Sequence, residues 1–326
     1  MPLLEVTNLK ISFDTDVGPL AAVDGLDFTI DKGETLCLVG ESGCGKSVTA
    51  LSLLRLIASP PGRIASGKIV FDGQDILTLS DKDLRKIRGR RIAMVFQEPM
   101  TSLNPVYTVE DQIAEVLKLH LGMNGRQAGD RVAELLSQVG IPAPRQRMKD
   151  YPHQLSGGMR QRVMIAMALA CNPDLLIADE PTTALDVTIQ AQILELLGKL
   201  QSERGLAILL ITHDMGVVAE VARRVAIMYA GRIVETGPVG EVFARPLHPY
   251  TRGLLAAIPR TDAGTGSAKR TDRRLSSIRG QVPSLARIPS WCRFADRCPD
   301  AQPRCRETDP RLETKQGHDV ACVVAS

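Results

Sequence analysis

Eight residues restrict this chain more than any others: Gly40-Glu41-Ser42-Gly43-Cys44-Gly45-Lys46-Ser47. A glycine, four residues and then Gly-Lys-Ser let successive backbone amides turn inward on an anion, because no side chain blocks the approach. The flanks read as strand, loop, helix. Thr35-Leu36-Cys37-Leu38-Val39 is an apolar run before the loop, and Val48 to Ile57 carries apolar residues at helical spacing after it. A helix beginning there points its positive end at the same charge. The pattern predicts ATP held by the amides of Gly40 to Val48, with Lys46 reaching the β- and γ-phosphates and the Ser47 hydroxyl on magnesium.

Further along, Ile92 to Phe96, Leu175 to Ala178 and Ala207 to Ile211 are apolar runs separated by long helical patterns. Such alternation predicts an α/β fold, a parallel sheet between helices. Leu4 to Phe13 partly alternates apolar and polar residues, and Phe28-Thr29-Ile30 precedes a turn, so a small antiparallel sheet is expected at the amino end. Strand signals vanish between Pro99 and Ala170, where Thr108 to Leu119 and Arg131 to Val139 are amphipathic; a helical subdomain over about 99–170 follows. Val225 to Tyr229 and Arg232 to Glu235, joined at Ala230-Gly231, read as a closing hairpin. From about Pro259 the composition turns rich in Ser, Gly, Arg and Pro, which divides the chain into a 1–258 domain and a 259–326 extension.

The run Leu175-Leu176-Ile177-Ala178 ends in Asp179-Glu180. Beside a phosphate site two carboxylates have separate uses: Asp179 can hold magnesium through its water shell, and Glu180 can polarise the attacking water. Acids after a strand also cap helices, so the pair gains its meaning from the glycine loop.

Leu155-Ser156-Gly157-Gly158-Met159-Arg160-Gln161-Arg162 lies upstream of that strand. It resembles the signature motif of ABC ATPases, which other phosphate-loop proteins do not need. Ser156 and the amides of Gly157 and Gly158 would begin a helix and capture an anion, with Gln161 one turn on. Other matches come in the family's order. Gln97 resembles the glutamine that reports nucleotide state and joins Ser47 and Asp179 at magnesium; Ala184-Leu185-Asp186 resembles the D-loop; His213 resembles the switch histidine that steadies the attacking water; Phe13 matches the aromatic that stacks on adenine, where Tyr is usual. The resemblance implies an ATPase whose sites close only between two subunits, Ser156 to Gly158 serving the partner's ATP. It also implies Glu180, His213 and Gln97 as the catalytic group.

Phe96-Gln97-Glu98-Pro99-Met100-Thr101-Ser102-Leu103-Asn104-Pro105, Tyr151-Pro152-His153-Gln154 and His248-Pro249-Tyr250-Thr251 resemble more narrowly the ATP-binding subunits of dipeptide and oligopeptide importers, a group that includes nickel importers. That likeness implies a second ATPase subunit, in this family usually a nonidentical paralogue, two transmembrane permease subunits and an extracytoplasmic substrate-binding protein. It places the chain at the cytoplasmic face of the inner membrane, with Glu98 to Pro105 as the surface toward the permease.

Bulk properties agree. The longest apolar runs fall well short of the ~20 residues a bilayer requires, so no span is expected, and the first residues lack a secretory signal. The net charge of +3 resides in the extension, where residues 260–326 carry 13 basic and 8 acidic side chains. Scattered surface arginine is the commoner meaning of such an excess, and no nucleic-acid partner is expected. Cys37, Cys44 and Cys171 are dispersed, whereas Cys292, Cys298, Cys305 and Cys322 crowd together with five, six and sixteen residues between them. In a reducing compartment such crowding suggests metal before disulfides. The cluster resembles that of peptide-importer ATPases, which implies a 4Fe–4S centre; zinc and unliganded thiols remain open.

Overall fold

The computed structural model describes residues 1–97, 102–183, 186–258 and 278–325. Two sheets form. The amino-terminal one is four-stranded in the order β2-β1-β4-β5, with β1 Leu4–Thr15, β2 Gly18–Ile30, β4 Gly62–Phe71 and β5 Gln74–Asp75, all antiparallel. In β1, Leu4, Val6, Leu9 and Ile11 turn inward, as the alternation requires. Strand β4 was not legible in the sequence because its centre, Ser66-Gly67-Lys68, is polar and, of its apolar side chains, only those of Ile69 and Phe71 are fully buried. Gly67 is obligatory there: φ is 110° and a Cβ would lie 2.6 Å from Leu9 Cα.

The second sheet has eight strands in the order β11-β12-β10-β9-β3-β8-β7-β6. Its middle is parallel: β3 Thr35–Val39 between β8 Ala207–Thr212 and β9 Arg224–Tyr229, then β7 Leu175–Asp179 and β6 Ile92–Val95. Every residue of β3, β7 and β8 is buried, because both faces are covered. Period-two geometry then divides each strand between two cores. Leu36 and Leu38 join the amino-terminal sheet's core, while Cys37 and Val39 face the helices; Leu175 and Ile177 against Leu176 and Ala178 repeat the division.

Among the described residues the helices are α1 Lys46–Leu53, α2 Asp81–Ile87, α3 Val109–Leu121, α4 Gly125–Gln138, α5 Pro144–Arg147, α6 Gly157–Ala168, α7 Val187–Arg204, α8 Met215–Val221, α9 Val239–Ala244 and α10 Pro249–Ala256. Helices α3 to α6 form the expected helical unit, where α3 packs on α4 and α6 on both. Capping boxes start α3 (Thr108 with Asp111) and α4 (Asn124 with Gln127), each satisfying two otherwise orphaned amides. Among the described residues no helix is long and apolar enough to cross a membrane.

The extension contributes to the core sheet. Strand β12 His318–Val320 pairs with β10 Arg232–Pro238, Glu235 opposite Val320, and β11 Glu313–Lys315 completes the edge. Inside this seam His318 Nε2 lies 2.7 Å from Glu235 Oε1, both side chains fully buried, and Glu235 also accepts from the amides of Leu247 and His248. Strands of three residues leave too short a pattern to be read from sequence.

Candidate functional site

The phosphate loop leaves β3 after Val39 and enters α1 at Lys46. Gly43 and Gly45 have φ of 81° and 106°, a region closed to most other residues. Crowding fixes two glycines as well: a Cβ on Gly40 would lie 2.1 Å from Met228 O, and one on Gly45 would lie 2.8 Å from Ala22 O. Ser42 and Gly43 are exposed at the tip, whereas Cys44 is fully buried. The Cys44 side chain belongs to the core beneath the loop, its Sγ 3.9 Å from Lys46 Nζ, and burial pushes the thiol up. Lys46 folds back, donating to Gly40 O at 2.7 Å and Glu41 O at 3.1 Å. Those carbonyls hold the ammonium where a triphosphate would take it over.

Behind the loop stands Asp179, the last residue of β7 and 4% exposed. Burial raises its pKa, a hydrogen bond with Ser47 opposes that, and the charge of Glu180 adds to it. Its Oδ1 has no hydrogen-bond partner among the described residues. An orphaned buried carboxylate oxygen beside a hydroxyl is the donor set that Mg²⁺ accepts, so Ser47 and Asp179 fit that ion.

Glu180 adopts φ +47°, a left-handed conformation that a non-glycine residue enters at a cost of about 1 kcal/mol or more. The turn gathers three partners around one carboxylate. Gln97 Nε2 donates to Oε2 at 3.0 Å, Thr183 Oγ1 donates to the same oxygen at 2.9 Å, and His213 Nδ1 lies 3.3 Å from Oε1. Burial pushes Glu180 up, but the bonds from Thr183 and His213 outweigh it and hold the carboxyl below its ordinary range. It is therefore a carboxylate at neutral pH, able to orient water and accept a proton. Gln97, expected at magnesium, has its amide nitrogen on Glu180, a bond that does not use its carbonyl oxygen, the atom magnesium would take.

Ser156 caps α6, its Oγ accepting from Met159 N at 3.3 Å, which leaves the amides of the first turn to an outside anion. Gly158 must be small, since a Cβ would lie 2.9 Å from Ile189 Cγ2. Gln161 is 2% exposed and its Nε2 has no partner among the described residues. Helix α6 packs on α3, α4 and β6, whereas α1 packs on β2 and β7. Asp186 caps α7 by accepting from Ile189 N at 3.0 Å; Ala184 and Leu185 lie outside the described residues. Phe13, half-buried in β1, packs beside Gly62.

A family model described as ABC transporter matches residues 23–183, from β2 through the acidic turn, and one described as the C-terminal region of oligopeptide/dipeptide transporters matches 234–305. The oligopeptide transport ATP-binding protein AppD of Bacillus subtilis is 53% identical, over 98% of this chain and 96% of its own length. The chain belongs to the ABC transporter family, in its oligopeptide/dipeptide branch. A Brucella ovis protein named for peptide import and ATP binding is 54% identical over 99% of the chain and 97% of its own length. Among solved structures, the ATP-binding cassette MJ0796 in a dimeric post-hydrolysis state bound to ADP and Pi matches with a TM-score of 0.66 at 29% identity, covering 72% of this chain and 98% of its own. CbiO1 of Clostridium perfringens gives 0.63 at 31%, covering 75% and 91%. This ABC chain is an ATPase.

Cys292 and Cys298 are pushed up chiefly by burial, Cys298 to about 11, and the nearby Cys322 adds to both, so the thiols share one neighbourhood. Yet among the described residues no three His, Cys, Asp or Glu side chains form a group able to hold a metal ion. The expected 4Fe–4S or zinc centre is not assembled as a ligand set. Sequence reasoning missed Thr183, whose spacing from Glu180 gave it no separate signal, and the Tyr250 hydroxyl, which accepts from Glu41 N at 2.9 Å across the fold.

Proposed function

We propose that this chain energises import of dipeptides or oligopeptides across the inner membrane from its cytoplasmic face. In this proposal residues 1–258 are the ATPase and 259–326 the importer-type extension. The single observation that carries the cargo reading is kinship over the whole chain, extension included, with proteins named for peptide transport. Nickel or another small solute is the alternative cargo.

Two ATPase subunits, the other a nonidentical paralogue, would each present Ser156 to Gly158 to the ATP on the partner's phosphate loop. Lys46 and the amides of Gly40 to Val48 would bind the phosphates, Ser47, Gln97 and Asp179 would hold Mg²⁺, and Phe13 would stack on adenine. Mg²⁺ supplies charge neutralisation between the phosphates. Glu180, positioned by Thr183 and His213, would take the proton of the attacking water, and Asp186 would cross the interface. Binding of ATP would close the pair and hydrolysis would reopen it. The permease would dock beyond Gln97; exposed Phe96, Val106 and Tyr107 flank that surface, while 98–101 lie outside the described residues. The crowding of Cys292, Cys298, Cys305 and Cys322 in the sequence is what supports a cysteine-bound 4Fe–4S or zinc centre as a staple for the extension, which iron and zinc analysis of anaerobically purified protein tests.

The deciding experiment is reconstitution of this chain with its permeases, paralogue and binding protein in vesicles. ATP-dependent uptake of labelled peptides is the expected result. Uptake of Ni²⁺ with no peptide uptake would replace the cargo, and failure to copurify with any permease would remove the importer reading.

A further inference from the structure

The carboxy-terminal extension reaches the phosphate loop itself. Three groups hold Glu41, the second residue of that loop. Its amide donates to Tyr250 Oη at 2.9 Å, its carbonyl accepts from Lys46 Nζ at 3.1 Å, and its carboxylate accepts from Arg297 Nη1 at 2.6 Å and Nη2 at 2.9 Å. The Arg297 side chain is 6% exposed and that of Glu41 31%, so the cation approaches from the buried side.

Arg297 is itself fixed. Its Nε donates to Arg279 O at 2.9 Å, Nη2 to Gly280 O at 3.3 Å and Nη1 to Tyr229 Oη at 3.3 Å, and the guanidinium lies 5.6 Å from the Tyr229 ring centroid. The turn that carries it is anchored by Phe294. That ring is 3% exposed and lies 5.2 Å from Tyr229, 5.4 Å from Tyr250 and 5.6 Å from His248, centroid to centroid. A second arginine of the turn, Arg293, pairs with Asp24 and donates to Ala230 O at 2.5 Å. Residues from the amino-terminal sheet, the hairpin and the extension thus clamp one side of the loop.

Glu41 places a negative charge inside a loop built to receive anions. A planar, bidentate guanidinium neutralises that charge and fixes its direction, which a lone ammonium does less completely. The residue it fixes is one whose carbonyl Lys46 rests on, so the loop is shaped before nucleotide arrives. We propose that Arg297 is a positioning residue for ATP: acting through Glu41, it makes the extension a working part of the nucleotide site.

The test uses the full chain for binding of Mg-ATP by equilibrium dialysis and the assembled transporter for kcat and KM. It rests on the ATPase reading; a wild-type chain that fails to bind ATP would defeat that reading and not this one. Arg297→Met is expected to raise Kd and KM about tenfold, the scale of a lost charge-assisted contact, with kcat within about twofold. Arg297→Lys, which keeps the charge and the fold but loses the fork, is expected to raise Kd about threefold. Adding Glu41→Gln to Arg297→Met removes the unpaired charge and is expected to recover most of the affinity. A purely structural arginine would instead lower the denaturation midpoint, and Glu41→Gln would recover nothing. Wild-type affinity in folded Arg297→Met, or in Arg297→Lys should the Met variant not fold, would overturn the proposal, as would failure of Glu41→Gln to relieve it.

Discussion

Glu180→Gln separates binding from chemistry at this site. Glutamine has the length and branching of glutamate, so its carbonyl oxygen can still accept from Thr183 Oγ1 and Gln97 Nε2, the bonds now 2.9 and 3.0 Å long. The left-handed turn at φ +47° is kept, because the backbone requirement does not depend on the end group. What disappears is a proton acceptor. The carboxylate is ionised at neutral pH because the Thr183 and His213 bonds outweigh its burial, while an amide cannot take a proton there. Loss of a positioned general base costs about 10²- to 10⁴-fold. At 1.36 kcal/mol per tenfold, that is about 3–5 kcal/mol of barrier. The assay is ATP turnover by the assembled transporter alongside Mg-ATP affinity of the variant chain. Turnover should fall by at least a hundredfold with affinity within about threefold, and closed pairs should accumulate with ATP bound. Turnover within threefold of wild type would remove Glu180 from the role of base. A parallel collapse of affinity would mean that its hydrogen bonds, not its basicity, are what the site uses.

Ser156→Arg should leave ATP binding by the chain unchanged yet reduce turnover of the assembled pair by about a hundredfold, since it fills the anion-receiving start of α6 with a long side chain; equal loss in both assays would refute action across the interface. Phe294→Ala should cost about 3 kcal/mol in denaturant unfolding, the usual penalty for a buried ring, and should weaken ATP binding by unseating Arg297. His248, fully buried, is pushed down to about 3 by desolvation, with the Arg252 charge adding to it. Its unfolded form takes a proton near 6.5, so its contribution to stability is present above that value and is lost as pH falls toward 3, by up to 1.36 kcal/mol per pH unit. His248→Asn can still cap α10 by accepting from Tyr250 N, as His248 Nδ1 does now at 3.0 Å, and should flatten the loss between pH 7 and 5; an unchanged slope would place the acid sensitivity elsewhere.

Sequence alone determined the parts whose signal is local. The phosphate loop announces itself because glycines at fixed spacing are a backbone requirement, and the two sheets follow from periodicity in β1 and unbroken apolar runs in β3, β7 and β8. Glu180, Gln97 and His213 were named one by one from their order along the chain. Only folding brought them together, since an α/β sheet sets the ends of β6, β7 and β8 side by side although helices separate them in sequence. The strand pairing of β12 with β10 and the Arg297 to Glu41 contact had no local trace at all. Their residues are short-range ordinary, a three-residue strand and one arginine among many, and become specific only when burial gives each polar group a single available partner.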